Sequence, residues 1–80
     1  MTREEYHNIK RHIKSLCIDS VLELSKRVGL NEYETKLLEH INKNDTRTCM
    51  SFKLNICESK ITKDIRKTFT KIHDYNKRQI

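Results

Sequence analysis

Proline is absent from this chain, and glycine occurs once, at Gly29. Both residues punctuate turns, so a sheet of many short strands lacks the residues its connections need. An all-β or α/β fold is therefore disfavoured, and the expectation is all-α, with helices on short connections. Tryptophan is also missing, and only 35% of the residues are apolar. No continuous apolar run suits a membrane span or a signal peptide, and the charged start Thr2-Arg3-Glu4-Glu5 fits neither. The three cysteines, Cys17, Cys49 and Cys57, include no Cys-x-x-Cys pair. Their odd number argues against a disulfide framework and for reduced thiols in a cytoplasmic protein. One glycine cannot build a phosphate-cradling loop, and the scattered His7, His12, His40 and His73 form no metal or catalytic constellation. No enzyme, cofactor or metal is expected. Eighty residues make a single domain, residues 1–80, with a thin core that a second copy could supplement.

What the chain has is positive charge, unevenly placed. The formal net charge is +6. Residues 1–29 carry six Lys/Arg against four acids, and residues 30–45 carry two against four. Residues 46–80 carry nine against three, so the excess lies in the last part of the chain. Concentrated positive charge favours a polyanion such as DNA, RNA or an anionic membrane surface. A solvated Lys-rich helix face is the plainer reading of the same charge.

Apolar residues at Tyr6, Ile9, Ile13, Leu16, Cys17, Val21, Leu24 and Val28 recur at steps of mostly three and four, a helical stripe. Ser20 and Glu23 match a capping box, which divides the stripe into helices over residues 3–18 and 21–28. Gly29 stands where a left-handed C-terminal cap belongs. Asn31 and Glu34 form a second box, opening a helix whose inner face is Tyr33, Leu37, Leu38 and Ile41. The polar run Asn42-Lys43-Asn44-Asp45 ends it. Thr46 is the next N-cap candidate, before a short helix that buries Met50 and Leu54. Asn55, the non-glycine residue best suited to a left-handed turn, then precedes Ile56, which tucks that turn onto the core. The last helix begins near Glu58, with Ile61, Ile65, Phe69 and Ile72 on one face and a fraying polar end after Ile72.

Residues 46–72 thus read as short helix, tight turn, longer basic helix, the arrangement of a helix-turn-helix. Ser51, four residues before Asn55, is the small side chain that lets two such helices cross closely. The outer side of the last helix offers Ser59, Lys60, Thr62, Lys63, Arg66, Lys67 and Lys71. Hydroxyls and long cations on one strip suit a major groove, the first four toward base edges and the last three toward phosphates.

With these residues in register, residues 30–72 resemble the DNA-binding domain shared by region 4 of sigma factors and the LuxR/GerE-type regulators. Leu54-Asn55-Ile56-Cys57-Glu58 stands where those families carry Leu-Gly-Ile-Ser-Glu. The resemblance implies a compact helical bundle containing a helix-turn-helix over residues 30–80, with residues 1–29 as an N-terminal helical extension. It also implies a stand-alone transcriptional regulator, and the small size and Lys/Asn/Ile-rich composition point to a phage or mobile element. Two positions depart from the pattern. Cys57 replaces a capping serine, which weakens the start of the last helix and puts a thiol open to redox control beside the DNA face. Phe52 replaces an exposed polar residue, which calls for a cover, and the N-terminal helices are the available one.

The leading expectation is sequence-specific binding of double-stranded DNA by residues 58–71. The alternative is a protein-interaction module that binds RNA polymerase or a sigma factor through Phe52 and the stripe of residues 6–28. That stripe is long enough to be a homodimer seam, and equally could fold back to complete the core. A basic amphipathic helix on an anionic membrane fits less well, since the apolar face of the last helix is needed inside and Trp is absent.

Overall fold

The computed structural model describes residues Met1–Arg78. Among them are α1 (Arg3–Ser15), α2 (Ile18–Val28), α3 (Glu32–Asn42), α4 (Arg47–Leu54) and α5 (Glu58–Arg78), and no strand. The expectation of an all-α fold holds. No helix among these residues is long and apolar enough to cross a membrane.

Local capping chemistry sets most of the boundaries. Thr2 and Glu5 close a capping box at the start of α1, with Glu5 N–H donating to Thr2 Oγ1 at 3.1 Å and Thr2 N–H to Glu5 Oε1 at 2.9 Å. Asn31 and Glu34 close the expected one at α3. Thr46 caps α4 by accepting from Cys49 N–H at 3.1 Å. Gly29 ends α2 with φ 83°, donating back to the Ser25 carbonyl.

The break between α1 and α2 falls at residues 16–17, and α2 starts at Ile18, three residues before the expected start at Val21. Val21 N–H already bonds the Cys17 carbonyl at 3.1 Å, so Ser20 lies inside the first turn and cannot cap it. Its hydroxyl instead meets Cys17 Sγ at 3.2 Å. A distant residue accounts for the earlier break. Asn42, at the end of α3, donates from Nδ2 to the carbonyls of Ile13 (3.0 Å) and Leu16 (2.6 Å). The Ile13 carbonyl also takes Leu16 N–H at 3.3 Å, and both carbonyls lie at the helix end, where the regular intrahelical bonding stops. A tertiary contact outweighs the local capping signal here.

The connection from α4 to α5 is three residues, 55–57. Asn55 adopts the left-handed conformation (φ 56°, ψ 43°) and its N–H bonds the Ser51 carbonyl. Ser51 Oγ donates to the Ile56 carbonyl at 2.5 Å, while Ile56 N–H returns to the Ser51 carbonyl at 3.2 Å. Ser51 therefore clasps the turn as well as being small. With Cys57 just before it, α5 begins at Glu58 as expected. The Cys57 carbonyl accepts from Ile61 N–H at 3.1 Å, and Thr48 on α4 donates to Glu58 Oε1 at 2.9 Å.

At its other end α5 runs on to Arg78 rather than fraying after Ile72. His73 Nε2 lies 3.0 Å from Glu5 Oε2 on α1, and Tyr75 is half-buried, so tertiary contacts support the extra turns. Gln79 and Ile80 lie outside the described residues.

The core forms where α1, α2, α3 and α4 all meet α5. Ile61, Ile65, Phe69 and Ile72 of α5 are buried with Ile9, Ile13, Val21, Leu37, Leu38, Ile41 and Met50. Tyr6 and Phe69 pack with ring centroids 4.9 Å apart. The N-terminal stripe thus folds back onto the chain's own core. Ile9, Ile13 and Val21 are buried within this chain, while Tyr6, Leu16, Leu24 and Val28 pack only partly buried against the same core. Phe52 corrects an expectation about the N-terminal helices. Its side chain is 91% exposed, so they do not cover it.

Asn42→Ala removes both bonds to the end of α1 without touching the apolar core. The expected loss is about 1–2 kcal/mol of unfolding free energy, read from the urea midpoint by circular dichroism. An unchanged midpoint would show that Asn42 does not hold the α1–α2 break.

Candidate nucleic-acid interface

At 100° per residue, the surface of α5 divides into an outer ridge and two flanks around the buried face. Ser59, Lys63, Lys67 and Thr70 form the outer ridge, and all four are exposed. Among the described residues neither Lys63 nor Lys67 makes an ion pair. The ridge carries no acid until Asp74.

One flank turns toward α3 and is electrostatically occupied. Lys60 Nζ lies 3.3 Å from Asp64 Oδ2, and Tyr33 Oη donates to the same oxygen at 2.7 Å. The Tyr33 bond, with Lys60 beside it, holds the Asp64 carboxyl below its ordinary value. Burial, reinforced by Asp64, pushes the Tyr33 phenol up to about 12. Further along, Lys71 Nζ donates to both oxygens of Glu34 at 3.0 and 2.8 Å. Glu34 is buried, and the same carboxylate receives Asn31 N–H at 3.2 Å and faces the buried hydroxyl of Thr68. Burial raises the Glu34 pKa, but Lys71, the Asn31 amide and Thr68 together outweigh it, and the net direction is down.

The seven residues expected to face DNA are therefore not one uniform strip. Ser59, Lys63 and Lys67 share the outer ridge. Arg66 is exposed on the second flank, with Thr62 half-buried above it. Lys60 and Lys71 sit on the occupied flank. Lys71 has a bond the sequence reading did not foresee, since its ammonium neutralises a buried carboxylate on α3. The missed signal was Glu34, read only as a capping residue.

The second flank borders α1 and α4. Thr62 and Arg66 line a cleft of roughly 380 Å³ with Arg3, Tyr6, His7 and Arg47. Arg47 Nη2 lies 3.5 Å from Tyr6 Oη. No carboxylate lines this cleft among the described residues. Lys10 and Lys14 continue the charge along α1 and share a smaller depression with Arg47, which Asp45 also lines. Burial lowers the Lys10 pKa, and the like charges of Lys14 and Arg47 lower it further. The helical spacing of Arg3, His7, Lys10 and Lys14 was visible in the sequence, but only the fold shows that it meets Arg47 and Arg66.

Two of the four histidines are partly enclosed. His40 Nδ1 lies 2.7 Å from Asp45 Oδ2, and His73 pairs with Glu5. Asp45 also receives Lys53 Nζ at 3.2 Å. The His40 hydrogen bond and then Lys53 hold the Asp45 carboxyl below its ordinary value. No group of three or more metal-ligating side chains occurs among the described residues.

Compared with known proteins, the chain matches no family model, no curated protein and no solved structure.

Acid should weaken this fold through Glu34. Its folded-state pKa lies below the ordinary 4.5, so its contribution is complete above that pH and is lost as pH falls through the lowered value. Asp64 and Asp45 add the same sign from an ordinary value of 3.8. Glu34→Gln should lower stability at neutral pH by about 1–3 kcal/mol and flatten the decline below about pH 4.5. Urea titrations at stepped pH measure both effects. Parallel profiles for the parent and the variant would contradict this assignment.

Proposed function

We propose that this protein is a small double-stranded DNA-binding transcriptional regulator that lays the outer ridge of α5 in the major groove. The observation that carries the reading is the α4–turn–α5 unit. Asn55 is left-handed, Ser51 clasps the turn, and Ser59, Lys63, Arg66 and Lys67 stand exposed on the second helix. A helix-turn-helix works this way, with a short helix steadying a longer one whose N-terminal half reaches base edges. Unpaired cations on a convex ridge meet phosphates without first breaking internal bonds. The likeness of residues 30–72 to sigma region 4 and the LuxR/GerE domain supports the same reading through framework residues. Ser59 and Lys63 are assigned to base edges and Lys67 to the backbone, with Arg66 on the side toward α1. Lys60 and Lys71 take secondary positions because each already has an acidic partner. Such a regulator works in the cytoplasm, and its size and composition suit a phage or mobile element.

Duplex affinity should fall steeply with salt as condensed counterions are released. Replacing Lys63 and Lys67 together by Ala should reduce the log–log salt slope by about two and weaken binding at least tenfold at moderate salt. Fluorescence anisotropy on duplexes selected from a random pool provides the test. Unchanged affinity and slope would remove α5 as the contact helix.

A second reading rests on Phe52. An aromatic ring 91% exposed on the outer face of α4 contributes little to folding and resembles an interface anchor. In this reading the protein binds RNA polymerase or a sigma factor and redirects transcription. Phe52→Ser should leave the thermal midpoint unchanged and abolish retention of polymerase from nuclease-treated host lysate. Equal retention by the parent and the variant would dismiss Phe52 as the anchor.

A further inference from the structure

We propose that the cleft between α1, α4 and α5 is a binding site for a phosphate group, held by the guanidiniums of Arg3, Arg47 and Arg66. The three arginines come from three different helices, so only the folded chain assembles them. None of them is ion-paired among the described residues, and no carboxylate lines the cleft to neutralise them. Glu4, next to Arg3 in sequence, does not line the cleft, and three other acids nearby are already engaged. Glu5 holds Thr2 N–H and His73, Asp45 holds His40 and Lys53, and Glu58 receives Thr48. Three like charges brought together without a counter-charge oppose folding, and a bound anion reverses that cost.

The chemistry selects phosphate among anions. Planar guanidinium forks bind phosphate oxygens through paired hydrogen bonds, and the Tyr6 and Thr62 hydroxyls add neutral donors. At roughly 380 Å³ the cleft exceeds one bare phosphate, leaving room for the group esterified to it. Two sources offer this chemistry. One is the phosphodiester backbone of a duplex seated on α5, because Arg66 belongs to both the cleft and the flank of that ridge. The other is a free phosphorylated small molecule. Only the first source rests on the DNA-binding reading.

The test uses the full-length chain and two probes, inorganic pyrophosphate and a selected duplex, followed by ¹H–¹⁵N shifts of backbone and arginine Nε groups. Pyrophosphate should produce saturable shifts confined to residues around Arg3, Arg47 and Arg66. Arg47→Gln should weaken that binding about tenfold or more, and Lys63→Ala should leave it unchanged. Arg3→Gln provides a second variant should Arg47→Gln impair folding. Non-saturating shifts spread over all lysines and arginines, insensitive to Arg47→Gln, overturn the site. If Arg47→Gln also weakens duplex binding and lowers its salt slope by about one, the site stands and the phosphate is the DNA backbone's. If duplex binding is unaffected while pyrophosphate binding is lost, the site stands and its ligand is a free phosphorylated molecule. Saturable pyrophosphate binding by a chain that binds no duplex keeps the cleft and removes the DNA-binding proposal.

Discussion

One face of α5 holds this molecule together. Ile61, Ile65, Thr68, Phe69 and Ile72 are almost fully buried, and every other helix packs against α5. Burying each large apolar side chain is worth about 1.5–3 kcal/mol, while a domain of this length keeps a net stability of only about 4–12 kcal/mol. The α5 stripe is therefore indispensable. Its rigidity is also what a groove-reading helix requires, because a helix anchored along its inner face presents its outer ridge in one fixed orientation. Fold and proposed function use opposite sides of the same 21 residues.

Charge on α5 follows the same division. Toward α3 the cation Lys60 neutralises Asp64 within α5, while Lys71 neutralises Glu34 of α3 and joins helices far apart in sequence. On the outer ridge and toward α1, Lys63, Lys67 and Arg66 have no acidic partners among the described residues. Counting lysines on a helical wheel cannot separate these groups, because the difference lies in what faces each one. Glu34 shows how strong the distinction is. A single carboxylate closes the α3 capping box, receives Lys71 and contacts Thr68, and through these bonds fixes how α3 meets α5.

Much of the fold was legible in the sequence because local chemistry governs it. Gly29, Asn31 with Glu34, Thr46 and Asn55 each act at the position and in the role their side chains indicate. The apolar steps along α3 and α5 likewise mark the buried faces. Misreadings arose where a distant residue decided the outcome. Asn42 set the α1–α2 break, Glu5 with His73 extended α5, and Glu34 claimed Lys71. Exposed Phe52 belongs to another class, since nothing in its local sequence reveals whether another helix covers it. Of the candidate site, the outer ridge was readable from periodicity alone. The arginine cleft was not, because its three arginines come to line one cleft only after α1 folds back across α5.

The central claim is that α5 carries the core on one side and a duplex on the other. Amide shift mapping of the labelled full chain, titrated with a selected DNA duplex, tests it most directly. The expected footprint covers Ser59, Lys63, Arg66 and Lys67 with the adjoining turn at residues 55–57, and leaves α2 and the outer face of α3 unperturbed. Perturbation centred on α2 and α3, or no saturable change with any duplex, would contradict it.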